Sequence, residues 1–370
     1  MGEAPPQEKE YILVLLPYAH DDKVTSIIDS IRRKHHHVEI EYHNIAFTGM
    51  TAPDLTSIPE NSWKKSTILV TFNSLPPSLK LIPNLKLLHL FSAGANHIFQ
   101  TPIWKDTEIT ITNSSGVHSP QIAEWVMLQI LSHSHQEKIL LQWQKEHKWG
   151  AHSELNFVRD GVGQRLGVLG YGAIGRQTAR ICSALGMDVI AYTASPRPTP
   201  DSKKDRGYIV PGTGDEYGRI PSEWYSGLDK ASLHNFLKQD IDILLIAVPL
   251  TPATTHFLGA EELAILGKRN AFVVNIARGA ILKQDDLIAA LKKPVEKGGL
   301  RGAALDVTDP EPLPKDSELW DLENVVITPH ISGGLGTMYI DRSFAILERN
   351  LGNLERGKKL LNVVNRGKGY

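Results

Sequence analysis

At 370 residues the chain is too long for one typical core, so two domains are expected. Its 41% hydrophobic and 22% charged residues are ordinary for a soluble globular protein, and a formal net charge of -1 gives no electrostatic case for nucleic acid or another polyanionic partner. One cysteine, Cys182, excludes an intrachain disulfide framework and a cysteine-based zinc site.

No uninterrupted apolar run is long enough to span a bilayer, so no membrane partner is expected. Residues 1–10 are polar and proline-bearing, unlike a signal peptide or a basic presequence, which makes the cytoplasm the default location. Residues 11–16 read as a buried strand and 21–33 as the helix after it. His35, His36 and His37 are adjacent, and adjacent side chains point in different directions, so a surface turn is expected there and no metal site. Strand runs recur at 68–72 and 87–91. The second opens into Ser92-Ala93-Gly94-Ala95-Asn96, a small-residue loop past a strand's carboxyl end, where open α/β sheets place ligands.

A further strand, 109–113, leads through Gly116 and Pro120 into a long helical pattern from Gln121 to about Trp149. With a rise of about 1.5 Å per residue, such a helix can cross from one domain to another. The first domain boundary is therefore placed inside it, giving one domain over 1–122 and 337–370 and a second over 123–336.

That second domain opens on a short apolar run ending in Gly170-x-Gly172-x-x-Gly175, with Ala173 and Ile174 between the last two glycines. A helical pattern to Leu185, a closing Gly186 and a buried strand over 188–193 complete a β-α-β unit, the context that makes the glycines a dinucleotide turn. An NAD-preferring site usually carries Asp or Glu at the end of the second strand. Here Thr193, Ser195 and Arg197 stand instead, with no carboxylate to repel a 2′-phosphate and two hydroxyls and a guanidinium to hold one. NADP(H) is the expected coenzyme, with NAD(H) possible; the alternative is a solvated loop that ignores the ribose.

Residues 196–227 are rich in Pro, Gly and charge and too long for a routine connection. A disordered excursion, a flap over the adenosine end and a subunit contact all fit. Regular structure resumes with a helix over 228–237 and strands at 241–248, 271–276, 302–307 and 325–328, each delivering polar residues at its carboxyl end. The pattern over 339–361 is helical and returns to the first domain.

Arg278, Glu311 and His330 each follow a buried run. Hydride transfer between a carbinol and a nicotinamide needs a group that exchanges the hydroxyl proton, and histidine suits it near neutral pH. A carboxylate on the far imidazole nitrogen fixes the tautomer, and an arginine fork can hold the carboxylate and carbonyl of a 2-keto acid. Singly these residues read as a turn histidine, a loop acid and a surface cation. Together, downstream of a dinucleotide turn, they read as a site.

The glycine turn, Asn275-Ile276-Ala277-Arg278-Gly279, the run from Leu305 through Asp306 to Glu311 and Leu313, and Thr328-Pro329-His330-Ile331-Ser332 together resemble the D-isomer-specific 2-hydroxyacid dehydrogenases, in their glyoxylate/hydroxypyruvate reductase-like branch. The resemblance implies an α/β fold of two Rossmann-like domains with doubly wound parallel sheets and a discontinuous substrate domain. It implies that Arg278 binds and polarises a 2-keto acid, that His330 is the acid/base and Glu311 its partner. It also implies that Ala93 and Gly94 bind the substrate carboxylate through their backbone, that Asp306 meets the nicotinamide carboxamide, and that Val248, Pro249, Ala277 and Gly333 line the cofactor. A homodimer is expected, with Trp149 reaching a neighbouring subunit. Formate dehydrogenase, a rival on the same fold, uses glutamine where this chain has Glu311; a dinucleotide-sensing corepressor or scaffold is the rival outside enzymes.

Overall fold

The computed structural model describes residues 9–46, 53–334, 336–367 and 369, so most of the polar amino-terminal stretch lies outside the described residues. The chain divides into two compact units, Met1–Val117 with Thr337–Tyr370, and His118–Gly336. Each holds one fully parallel sheet. The short apolar runs explain this: strands such as ILVT and ILLI are buried along their whole length, as strands covered on both faces by helices must be.

In the first unit, β1 (Glu10–Leu16), β2 (Val38–Asn44), β3 (Ile68–Thr71), β4 (Leu87–Leu90) and β5 (Thr110–Asn113) are ordered β2-β1-β3-β4-β5. The helix Asp22–Lys34 starts on Asp21, whose carboxylate accepts the Val24 N–H at 2.9 Å, and ends in Arg32, Arg33 and Lys34, favourable at the negative end of the helix dipole. The returning helix Tyr339–Glu355 buries Phe344, Leu347 and Leu351 in the same core as Ile12, Val14 and Ile28. The histidine run does form a turn, but it is not all surface: His35 is buried and its Nδ1 meets the carboxylate of Glu355.

The second unit contains β6 (Arg165–Leu169), β7 (Asp188–Thr193), β8 (Glu223–Ser226), β9 (Ile243–Ile246), β10 (Phe272–Asn275), β11 (Gly302–Leu305) and β12 (Val325–Ile327), ordered β12-β11-β10-β9-β6-β7-β8. Leu166 of β6 pairs with Val189 on one side and Ile243 on the other, so the strand order reverses at β6. The carboxyl end of β6 is therefore the switch point of the sheet, where open α/β folds bind ligands.

Three expectations change. The helical pattern after residue 118 is not one domain-crossing helix but two, Ser119–Ser134 and Glu137–Lys145. Gln136 takes left-handed backbone at φ 56°, and its amide holds the Asn156 backbone at 2.7 and 2.9 Å instead of facing along a helix. The division between units falls before the first of these helices, at 117/118, rather than inside it. Residues 196–227 are not a disordered excursion. They pack on the second unit with Tyr208 and Asp215 buried, and their end supplies the edge strand β8, parallel to β7. Among the described residues no helix is long and apolar enough to cross a membrane.

Asp242, 1% exposed beside β9, ties the sheet's edge loops together. Its carboxylate accepts the Arg165 N–H at 2.9 Å and guanidinium hydrogens of Arg159 at 2.6 Å and Arg269 at 3.1 Å. Burial alone would raise its pKa, but these donors outweigh burial and hold it below the ordinary carboxylate value. The stabilisation is thus present above the unfolded pKa of about 3.9 and lost as pH falls through the lowered folded value. Asp242→Ala is expected to lower unfolding free energy by about 3 kcal/mol at neutral pH in denaturant titration, with the gap to wild type shrinking in acid.

Candidate active site

The glycine turn sits at the carboxyl end of β6, and each glycine has its own reason. Gly170 has φ +108°, and a Cβ there would lie 2.6 Å from the Ala247 carbonyl and 2.7 Å from the Val248 nitrogen. The turn is thereby pressed against Ala247 and Val248, beyond the end of β9. A Cβ on Gly175 would meet the Gly170 carbonyl oxygen at 2.5 Å, so the helix Ala173–Ala184 can approach β6 only as glycine. Gly172 differs: nothing lies within 4 Å of where its Cβ would be. It is the N-cap of that helix and offers no side chain, leaving the first-turn N–H groups of Ala173, Ile174 and Gly175 without intrahelical partners. An open cradle at a helix N-terminus fits the pyrophosphate of a dinucleotide.

Beyond β7, the Thr193 hydroxyl donates to the Ser195 carbonyl at 2.8 Å, shaping the turn that carries Ser195 and Arg197. Both of these are exposed, and Arg197 donates to the Ser202 carbonyl at 2.7 Å. No carboxylate follows at 194–200.

Three loops from β10, β11 and β12 converge. After β10, fully buried Asn275 folds the chain on itself: its Oδ1 accepts the Ala277 N–H at 3.0 Å and its Nδ2 donates to the Arg278 carbonyl at 3.1 Å. Arg278 is half-buried and its Nη1 donates to the Ala277 carbonyl at 2.6 Å. Burial lowers its pKa, and the negative charge of the Glu311 carboxylate opposes that shift. Gly279 makes this convergence possible, since a Cβ there would stand 1.9 Å from the Thr308 carbonyl oxygen.

After β12 comes His330, whose Nδ1 lies 2.7 Å from Glu311 Oε1. Both side chains keep close to half of their surface exposed, so the pair is open to a ligand. His330 has left-handed backbone, φ +53°, held by its N–H donating to the carbonyls of Asp306 at 2.9 Å and Thr328 at 3.0 Å. Such a conformation in a non-glycine residue costs on the order of 1 kcal/mol and is concentrated at functional sites.

Asp306 is where the structure adds most to the sequence reading. It is 1% exposed, and its carboxylate is spent on the turn that carries His330. It accepts the Thr328 hydroxyl at 2.6 Å, the Ile331 N–H at 2.9 Å, the Ser332 N–H at 3.1 Å and the Ser332 hydroxyl. Thr328, Ser332 and Asn275 stand in the sequence only as members of longer motifs; their own signal is position, hydroxyls and an amide flanking Pro-His and Ala-Arg-Gly at strand ends. Gly333 packs against the start of the helix Ser119–Ser134, where an added Cβ would meet His118 Nδ1 at 3.2 Å.

The structure thus gathers Arg278, Glu311, His330 and Asp306 at one end of the second sheet, the end that also bears the glycine turn, Val248, Pro249 and Ala277. Ala93 and Gly94 belong to the first unit, in the loop after β4. Both are half-buried; the Ala93 carbonyl accepts from Asn113 at 2.8 Å and the Gly94 carbonyl from Ser92 at 2.8 Å, while their N–H groups donate to nothing among the described residues.

A family model described as D-isomer specific 2-hydroxyacid dehydrogenase, NAD binding domain, matches residues 127–211 and 214–332, more than half of the chain. The chain is 30% identical over 285 residues to a glyoxylate reductase of Korarchaeum cryptofilum, covering 76% of this chain and 77% of that one. Its fold is similar to the NADPH-dependent glyoxylate/hydroxypyruvate reductase from Sinorhizobium meliloti in complex with NADP and sulfate, with TM-score 0.69, 24% identity and coverage of 98% and 100%. It is equally similar to the NAD-complexed D-isomer specific 2-hydroxyacid dehydrogenase from Lactobacillus delbrueckii ssp. bulgaricus, with TM-score 0.70, 21% identity and coverage of 96% and 100%. At these identities the structural likeness is one of fold.

Proposed function

The chain belongs to the D-isomer-specific 2-hydroxyacid dehydrogenase family, and from that premise we propose that it reduces a 2-keto acid, such as glyoxylate, hydroxypyruvate or a bulkier analogue, to the D-2-hydroxy acid with NADPH. The observation that carries the reading is the His330–Glu311 contact at 2.7 Å, with Arg278 on the loop after β10 at the same sheet end, the end that bears the glycine turn.

The bound nicotinamide coenzyme supplies the hydride. Arg278 holds the substrate carboxylate and polarises the keto oxygen through its planar fork, an attraction strengthened by the lower dielectric of its half-buried position. With His330 Nδ1–H committed to Glu311, Nε2 is the nitrogen left to give the proton to the developing alkoxide, and Glu311 stabilises the imidazolium. The cofactor-facing residues are Gly170, Gly172, Ala173, Ile174, Gly175, Val248, Pro249, Ala277 and Gly333. Asp306 acts beneath them, on the turn.

The test is loss of reduced-nicotinamide absorbance with each keto acid. Turnover with none of them, despite tight coenzyme binding, would sink the enzymatic reading and leave a sensing scaffold. Thr193, Ser195 and Arg197 support NADP(H) over NAD(H); kcat/KM for NADPH is expected to exceed that for NADH at least tenfold, and a preference for NADH would overturn that choice.

A homodimer is proposed on an apolar face. The helix Glu137–Lys145 buries none of its residues, and Leu131, Ile139, Leu140 and Leu141 stand exposed around it, with Trp149 and Phe157 fully so. So many large apolar side chains exposed along one stretch of chain mark an interface more often than free surface. Sedimentation equilibrium is expected to give twice the chain mass; a monomer at micromolar concentration would refute it.

A further inference from the structure

The segment after β7 is tied to the glycine turn by two side chains of the turn itself. Arg176 is 5% exposed, and its guanidinium leaves the helix to donate to the Asp215 carbonyl at 2.6 Å and the Lys203 carbonyl at 2.7 Å, with the Asp205 carboxylate 3.6 Å away. The Tyr171 hydroxyl donates to the Asp215 carboxylate at 2.9 Å, and that carboxylate also accepts the N–H groups of Arg219 at 2.9 Å and Ile220 at 3.0 Å. The segment is therefore a fixed wall. Between it and the turn lies a pocket of about 340 Å³ whose lining includes Tyr171, Gly172, Arg176, Arg197, Lys204 and Arg206.

The charges in that lining do not balance. Four cations face two carboxylates, Asp201 and Asp205, which pair with Arg206 at 2.6 Å and Arg176 at 3.6 Å. Lys204 has Glu216 at 3.2 Å, outside the lining, and Arg197 has no ion pair among the described residues. The Arg206–Asp201 pair is highly exposed, so it is weak and readily re-partnered. Arg197 is also near enough to Arg176 to add to the lowering of its pKa, after burial as the main cause, a like-charge proximity that an anion would relieve. The volume is at the low end of small-molecule sites, roughly 300–1,000 Å³, and suits a phosphorylated ribose better than a whole nucleotide.

We propose that this pocket takes a phosphate monoester, the 2′-phosphate of the adenosine ribose, and that Lys204 and Arg206 of this segment supply part of its affinity alongside Arg197. The proposal rests on the NADP(H) reading and extends it to residues beyond the β7 loop. A ribose 2′ position falls at the end of the second strand in this fold, beside Arg197, and a phosphate there carries close to two negative charges.

The experiment is isothermal titration calorimetry of NADP+ and NAD+ against the full chain and its Lys204→Ala/Arg206→Ala double variant; both side chains are solvent-facing surface cations, so folding is not at stake. The expected result is a Kd for NADP+ raised at least tenfold, with the Kd for NAD+ changed less than twofold. Equal weakening of both coenzymes would overturn the assignment by moving these cations to the shared pyrophosphate. A wild type that favours NADP+ and a double variant that favours it undiminished would overturn the pocket while sparing the NADP(H) reading, which Arg197→Ala then tests. Equal affinities in the wild type would overturn both.

Discussion

Replacing His330 by alanine is expected to lower kcat by roughly two to four orders of magnitude, the usual worth of general acid/base catalysis. The coenzyme Kd should stay near wild type, since the glycine turn and Val248 are untouched. Alanine also removes the Glu311 contact at 2.7 Å, so Glu311→Gln separates the two roles. Glutamine can keep one hydrogen bond but carries no charge to stabilise an imidazolium, so kcat should fall less than in the histidine variant. Stopped-flow single-turnover kinetics with NADPH and glyoxylate reads both. Unaltered turnover in His330→Ala would remove the imidazole from the reaction, whatever the fold.

Gly279→Ala is expected to have the next largest effect, although it adds only one methyl group. The new Cβ would stand 1.9 Å from the Thr308 carbonyl oxygen and 2.6 Å from the Asp309 nitrogen, and both obstacles are backbone. One loop must move, and these loops carry Arg278 and Glu311. Overpacking of this kind costs about 1–3 kcal/mol, and a misplacement of about 1 Å in a catalytic group costs on the order of a hundredfold in rate. The expected signature is a Tm several degrees lower with kcat/KM down about a hundredfold. A variant with wild-type stability and kinetics would mean that the two loops are not in contact. Gly172→Ala is the control, since open space surrounds its Cβ position; it should fold normally and lose coenzyme affinity instead.

The parts of this protein that could be read without coordinates are those governed by neighbours in the chain. Gly170, Gly172 and Gly175 are set by the geometry of one strand-turn-helix unit, and all three sit where that unit requires. The runs over 68–72 and 271–276 are mostly apolar and the strands they form are buried along their whole length, which marks parallel strands, and polar residues after them must lie at the sheet's carboxyl edge. Arg278, Glu311 and His330 could be nominated on that basis, one loop at a time.

What stayed hidden depends on contacts between segments far apart in sequence. The helical periodicity after residue 121 runs on past Gln136, and nothing local says that its amide will hold residue 156 and end the helix. Composition made residues 196–227 look unstructured, because their order comes from Arg176 and Tyr171, donors that belong to another element. Asp306 reads as a ligand-facing acid until the turn at 328–332 is placed above it and takes up its carboxylate. Periodicity and turn chemistry are short-range quantities and survive in the chain as written; the pairing of buried polar groups is settled only when folding removes water and each donor must find whichever acceptor has been brought within about 3 Å.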